Sequence, residues 1–194
     1  MARSIVKQMR HKNLMELLEA NPLLTDEDLA LTLCVSVGTV RLDRALLGLP
    51  ELRERMRRMA EKANRRLRSL RQEEVIGDLL ELEPDHLALS YLTTSKEMAF
   101  RHTGIVWDHY IYSQASTLAM AVVEADMVVT GAARVRYKSP AHVGDKLIAR
   151  AKVGVRKGNK NVVSVRTRVA DREIFVGRFI VVACLSETAE AEKL

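Results

Sequence analysis

Residues able to do chemistry crowd into one stretch, TGIVWDHYIYSQASTL at 103–118. It holds the only tryptophan, Trp107, two of the four tyrosines, Tyr110 and Tyr112, and the adjacent pair Asp108 and His109. A carboxylate beside an imidazole suits a small hydrolase, one group attacking or activating water and the other moving the proton. The aromatics would equally line a pocket for a ligand that is only bound. The stretch reads as the start of a helix, where neighbouring positions face different ways, so Asp108 and His109 do not form a dyad. Asp108 then serves as a helix cap and His109 as a hydrogen-bonded residue of the first turn. Tyr110 and Tyr112 pack in the core or in a dimer interface. Metal chemistry is not expected: His11, His86, His102, His109 and His142 show no H-x-x-x-H spacing, and Cys34 and Cys184 no C-x-x-C.

The elements that position this stretch follow from periodicity. The helix continues through Ile111, Ala115, Leu118, Ala119 and Val122 with small residues nearly all round, which places it in the middle of a core. Upstream, EEVIGDLLELEPDHL is acidic and loosely helical, and ALSYLTT is a strand. Downstream come four strand-like runs, Met127–Tyr137, Lys146–Arg156, Val162–Ala170 and Glu173–Leu185. Alternation is clean in KLIARAKVGVR, with Leu147, Ala149, Ala151, Val153 and Val155 on one face and Lys146, Arg150, Lys152 and Arg156 on the other. KGNKN and ADR are hairpin turns. This half, 73–194, is α+β: one helix wrapped by an antiparallel sheet.

The first 49 residues are different. Residues 5–20 form an amphipathic helix with Ile5, Met9, Leu14, Leu17 and Leu18 on one stripe, ended by Asn21-Pro22. TDEDLALTL opens a second helix, Thr25 as cap and Asp28 three residues on. After the turn CVS, Ser36 caps a third, in which Val37, Val40 and Leu47 face inward and Gly38, Thr39, Arg41 and Arg44 face out. Two short helices joined by a tight turn, the second exposing small, hydroxyl and Arg side chains, is the layout of a DNA-binding helix-turn-helix, though a structural helical hairpin shares it. Ser36, Gly38, Thr39, Arg41 and Arg44 are the candidate readers.

Charge supports the DNA reading. The net +6 sits in one segment: residues 50–71 hold nine Lys/Arg against three Glu, while the segments on either side are balanced. A concentrated basic stripe fits a polyanion, or is simply a solvated helix face. Pro50 starts a predicted linker helix over 50–72 whose stripe of Leu52, Met56, Met59, Ala63, Leu67 and Leu70 must pack on a dimer mate or on the next domain. Its Arg55, Arg58, Lys62, Arg65 and Arg66 are expected to contact phosphates, adding affinity rather than sequence choice. No apolar run is long enough to span a bilayer and no signal peptide is visible, so a cytoplasmic protein without a membrane partner or cofactor is expected.

VRYKSPAHVGDKLIARAKV, with Gly144-Asp145 before an alternating strand, resembles the hot-dog fold. The order of segments is similar to one family in particular, the FapR-type regulators of bacterial fatty-acid and phospholipid synthesis. The stretches that match it are TDEDLA, VSVGTVRLDR, LPELRERM, EEVIGDLLELE, SQASTLAMAV and GDKLIARAKV, and VRLDRALLGLPELRER is specific to the family. The resemblance implies a homodimeric transcription factor, a repressor of lipid-biosynthesis genes, binding an inverted-repeat operator in double-stranded DNA. Its hot-dog domain would bind an acyl-CoA or acyl-carrier thioester, with the linker helix docked when ligand is bound.

Aligned from Phe100 to Ala121, the family has Arg-Gly where this chain has Trp107-Asp108, and Asn where it has Ser116. The resemblance assigns that Arg to a malonyl carboxylate and that Asn to the same site, so malonyl-CoA specificity does not carry over. Phe100, Trp107, Asp108 and Ser116 are expected at the acyl end, with Arg101 or His102 as substitute charges and Lys157 and Lys160 near nucleotide phosphates. Trp107 would either suit an uncharged acyl chain or fill the pocket outright. The rival reading is a hot-dog acyl-CoA thioesterase using Asp108.

Overall fold

The computed structural model describes residues 2–184, with side chains from residue 6 onward. The described chain divides into two compact units between Met59 and Ala60.

The first unit is helical: α1 (Ala2–Ala20), α2 (Asp26–Thr32) and α3 (Val37–Leu47). The expected capping box forms, Asp28 N donating to Thr25 Oγ1 at 3.1 Å and Thr25 N to Asp28 Oδ2 at 2.9 Å. Cys34, at φ 53°, turns the chain between α2 and α3, and Gly48 closes α3 at φ 67°. The core is Leu14, Leu18, Leu29, Ala30 and Val40, with Leu17, Val37 and Leu47 packed around it. Met9 departs from the predicted stripe, at 65% exposed; the side chain of Ile5 lies outside the described residues.

The linker helix is shorter than expected. α4 runs Leu52–Asn64, starting two residues after Pro50. Its last turn tightens, with Arg66 N on Ala63 O and Leu67 N on Asn64 O. Leu67 and Leu70 still continue the apolar stripe, but as irregular chain packed with Ala63 onto the core of the second unit. Helical geometry stops where Arg66 donates to Leu82 O and Ser69 Oγ to Met120 O, bonds that hold the segment against β1 and the end of α5.

The second unit is a six-stranded antiparallel sheet around one helix, in the order β1-β2-β4-β5-β6-β3. The strands are β1 (Asp78–Glu83), β2 (Leu87–Thr93), β3 (Met127–Tyr137), β4 (Lys146–Lys157), β5 (Lys160–Val169) and β6 (Arg172–Cys184). Leu185, predicted at the end of the last strand, lies outside the described residues. The helix α5 (Asp108–Ala121) lies on the inner face. Its Ala115, Leu118 and Ala119 are fully buried against Leu147, Ala149, Ala151, Val163, Phe175 and Phe179.

β1 corrects the sequence reading, which took this segment as loosely helical. A bulge shifts the register between Leu79 and Glu81, so Leu79, Leu80 and Leu82 are all buried and period-two alternation is lost. Gly144 and Asp145 act as the turn before β4 requires: Gly144 has φ 89°, and the Asp145 carboxylate accepts from His142 N at 2.8 Å.

Candidate functional site

In the first unit α3 presents its first turn to solvent. Ser36 caps it, accepting from Thr39 N at 3.1 Å, so its hydroxyl is already engaged with the helix end. Gly38 and Arg41 are exposed and Thr39 is half-buried. Arg41 is 64% exposed and touches Asp26 only at 3.3 Å.

Arg44 corrects the expectation that it faces out. It is buried, donating to both carboxylate oxygens of Asp26 at 2.7 and 2.8 Å and to Leu49 O at 3.3 Å. The helix turn sends it back beneath α2, where a planar fork fits a carboxylate. Arg55 departs likewise. It is buried, with its guanidinium on the carbonyls of Pro22, Leu24 and Pro50 at 2.9, 2.5 and 2.6 Å. Burial, and then the nearby Arg44, pull its pKa below the ordinary value, offset in part by Asp26. Both arginines tie the start of α4 and the α1–α2 turn to the head; neither presents a free phosphate donor.

Arg58 is exposed but held by Glu54 at 2.8 Å, and the guanidinia of Arg57 and Arg58 lower the Glu54 carboxyl to about 2. Lys62, Arg65 and Arg66 are exposed, Arg66 lending one N–H to Leu82 O.

In the second unit a cleft of about 510 Å³ opens at the start of α5, lined by Phe100, Ile105, Val106, Asp108, Ile111 and the run Tyr137–Pro140. The 98–107 segment folds over it through bonds from Phe100 N to Ile105 O at 2.8 Å and Val106 N to Ala141 O at 2.8 Å. Trp107 caps α5 without a side-chain bond, so Asp108 is the first helical residue rather than the expected cap. Its carboxylate stays exposed, in the first turn where the helix dipole favours it.

Trp107 does not line the cleft. It stacks flat on Phe100, centroids 4.0 Å apart at 15°, and the ladder of rings continues through His109 at 5.7 Å and on to Tyr110 at 4.3 Å. Trp107 therefore does not fill the cleft as expected: Phe100 and Tyr137 are the rings that meet it. His109 is engaged with rings on both sides, and no bond joins it to Asp108 among the described residues.

Other expected contacts do not converge. Ser116, two turns into α5, is absent from the lining, as are Arg101 and His102, both exposed on the loop that turns at His102 with φ 79°. Lys157 and Lys160 face each other across the β4–β5 hairpin. Lys160 pairs with Val182 and Tyr137 with Phe175, which puts the hairpin seven residues of β6, roughly 23 Å, from the cleft.

The sequence reading missed the cleft's far wall. Tyr137 donates to Asp108 O at 3.4 Å, and its pKa is raised by burial first and then by the Asp108 and Tyr112 side chains. Lys138 is bound to Glu173, which also accepts from Arg166 at 2.8 Å, so its charge is spoken for. The hydroxyl of Ser139 is buried without a partner. The signal lay in YKSP, a polar run ending a strand directly before a proline. No group of His, Cys, Asp or Glu among the described residues could hold a metal, and no described helix is long and apolar enough to cross a membrane.

A helix-turn-helix head followed by a hot-dog domain defines a DNA-binding regulator with an effector domain. Related sequences fix the family. The chain is 43% identical to the transcription factor FapR of Thermoanaerobacter sp. strain X514 over 183 residues, 94% of this chain and 92% of the relative. It is 38% identical to that of Halalkalibacterium halodurans over 174 residues, 90% of this chain and 94% of the relative. It belongs to the FapR family of transcription factors. Among solved structures, the uncharacterized protein PH1136 of Pyrococcus horikoshii is 29% identical with a TM-score of 0.56, covering 59% of this chain and 88% of its own. Cj0977, a sigma28-regulated virulence protein of Campylobacter jejuni, has a TM-score of 0.61 at 23% identity, covering 69% of this chain and 92% of its own, and shows the fold alone. No protein-family model matches the chain.

Proposed function

We propose that the protein is a cytoplasmic, homodimeric repressor of lipid-biosynthesis genes that binds an inverted-repeat operator through its helix-turn-helix heads and is released by a thioester ligand held in the hot-dog cleft. The observation that carries the DNA reading is the free first turn of α3. Gly38, Thr39 and Arg41 lie on it at the surface, while the structural arginines Arg44 and Arg55 brace the elements behind. Arg41 is the residue of choice for a guanine edge and Thr39 for a phosphate or a thymine methyl. Lys62, Arg65 and Arg66 add phosphate affinity.

A homodimer is supported by β3. It ends the sheet as an eleven-residue edge with the small residues Gly131, Ala132 and Ala133 exposed. A long open edge invites pairing with a second copy. The cleft favours a ligand without a negative end: apolar walls, an uncompensated Asp108 and a lysine already bound to Glu173.

Gel shift with promoters of lipid-synthesis genes from the source genome tests the reading, repeated with acetyl-, long-chain acyl- and malonyl-CoA. Specific retardation, relieved by a neutral acyl thioester, is the expected result. Absence of any specific complex, or thiol release from acyl-CoA that Asp108→Ala abolishes, would replace it with the thioesterase reading.

A further inference from the structure

Neither the α3 surface nor the cleft accounts for the outward face of the sheet. Residues paired across an antiparallel ladder share a face. One row runs Arg150 on β4, Arg166 on β5, Val176 on β6 and Arg136 on β3. The next runs Lys152, Ser164, Arg178 and Arg134. All six basic side chains are exposed, and among the described residues only Arg166 has an acidic partner, Glu173 at 2.8 Å. Glu81 and Glu83 of β1 share these rows but stand beyond Leu89 and Leu87 of β2.

Two of the contacts are unfavourable as they stand. Arg150 lies directly opposite Arg166, and Arg134 directly opposite Arg178. Like charges facing each other across strands destabilise a sheet. Residues 72–194 are neutral as a whole, sixteen basic against sixteen acidic, so the face is charge gathered to one place and not an overall surplus. Such a surface is relieved by an anion.

We propose that this face is a second DNA-contacting surface, holding the phosphate backbone of a duplex without reading its sequence. The inference rests on the family's DNA-binding role. Five of the six cations are arginines, whose planar forks suit phosphate. Three strand spacings separate β4 from β3, about 14 Å, close to the ~12 Å of a major groove bounded by phosphates. A bilayer surface would want large, exposed apolar anchors among the cations, and the apolar residues of these rows, Leu87, Leu89 and Val176, are all half-buried. Pairing of two copies through β3 would bring Arg134 and Arg136 of each to the joint, making one continuous basic face.

Full-length R150Q/R166Q/R178Q, with R134Q/R178Q as a second variant, is compared with the parent by fluorescence anisotropy on a promoter fragment and on a long random-sequence duplex over a salt series. The triple variant should lose affinity on both duplexes alike, with the slope of log K against log salt shallower by about 2–3. Its melting temperature should change little, since removal of the like-charge pairs offsets the lost Arg166–Glu173 ion pair and Glu173 keeps Lys138. An unchanged slope in both folded variants overturns the proposal, as does lost binding to phosphatidylglycerol vesicles with the DNA slope intact, which would assign the face to lipid. If the parent shows no preference for the promoter, the proposed function fails while the sheet-face slope still answers its own question.

Discussion

Arg44 grips Asp26 with two parallel hydrogen bonds of 2.7 and 2.8 Å across the helix-turn-helix, while Arg41, one turn earlier on α3, reaches the same carboxylate only at 3.3 Å and stays mostly in solvent. One carboxylate thus sorts two arginines into a brace and a reader. Arg44→Gln leaves the half-buried Asp26 without its main partner and should destabilise the head by roughly 1–3 kcal/mol. Arg41→Gln should change stability by less than about 0.5 kcal/mol and cost roughly 1–3 kcal/mol of discrimination at one base pair. Urea denaturation and competition gel shift on both variants separate the two roles; equal loss of stability would remove the distinction.

Asp43 is the buried acid among the described residues of the head, its side chain 4% exposed between Arg10 at 2.6 Å and His11 at 2.9 Å. The hydrogen bond from Arg10 holds its pKa below the ordinary value against the opposing effect of burial, with His11 adding to the lowering. A carboxyl whose folded pKa lies below its unfolded one stabilises fully above about pH 4, and that stability fades as the pH falls through the folded value. The head should therefore melt at progressively lower temperature below pH 4. Asp43→Asn should be less stable at neutral pH and flatten this acid dependence. Thermal melts across pH 3–6 read both effects, and an unflattened profile would mean that Asp43 is not the group responsible.

Strand type followed from periodicity where one face alone is buried, as in β4, and α5 was legible from its small and apolar residues nearly all round. Periodicity failed where backbone geometry overrode it: the β1 bulge buries Leu79, Leu80 and Leu82 together, and α4 stops at Asn64 although Leu67 and Leu70 keep helical spacing. Site residues show the same division. Asp108 could be found because it opens a helix and Phe100 through the family resemblance, and both line the cleft. Arg44 and Arg55 could not be distinguished in sequence from solvent-facing arginines, since their carbonyl and carboxylate partners lie up to 33 residues away in the chain. The basic sheet face was invisible to a count of net charge, because acids elsewhere in the segment cancel it; only strand register gathers those arginines.

Gly77 gives the bulged strand its entry. It has φ 84°, and a Cβ there would lie 2.6 Å from Tyr91 O and 3.2 Å from Leu92 Cβ. Backbone cannot yield to that contact as a flexible side chain would. Gly77→Ala should cost about 1–3 kcal/mol through strain and overcrowding, measured by urea denaturation. Wild-type stability would mean that the β1–β2 ladder relaxes freely.

Asp108 decides what the cleft accepts. Its carboxylate opens α5 beside apolar Phe100, Val106 and Ile111, and Lys138, the one cation in the lining, is taken by Glu173. A malonyl carboxylate entering here meets a like charge without a guanidinium to offset it, whereas an uncharged acyl group meets mainly hydrocarbon. Malonyl-CoA should bind more weakly than acetyl- or longer acyl-CoA. Asp108→Asn should narrow that gap by removing the repulsion, roughly 1 kcal/mol for an exposed pair at contact, and should do so less at high salt. Isothermal titration of both proteins with the three thioesters at low and high salt measures it. A parent that prefers malonyl-CoA would show that another cation reaches the carboxylate, and Arg101→Gln and His102→Gln would then be the variants to titrate, since both side chains are exposed on the loop over the cleft.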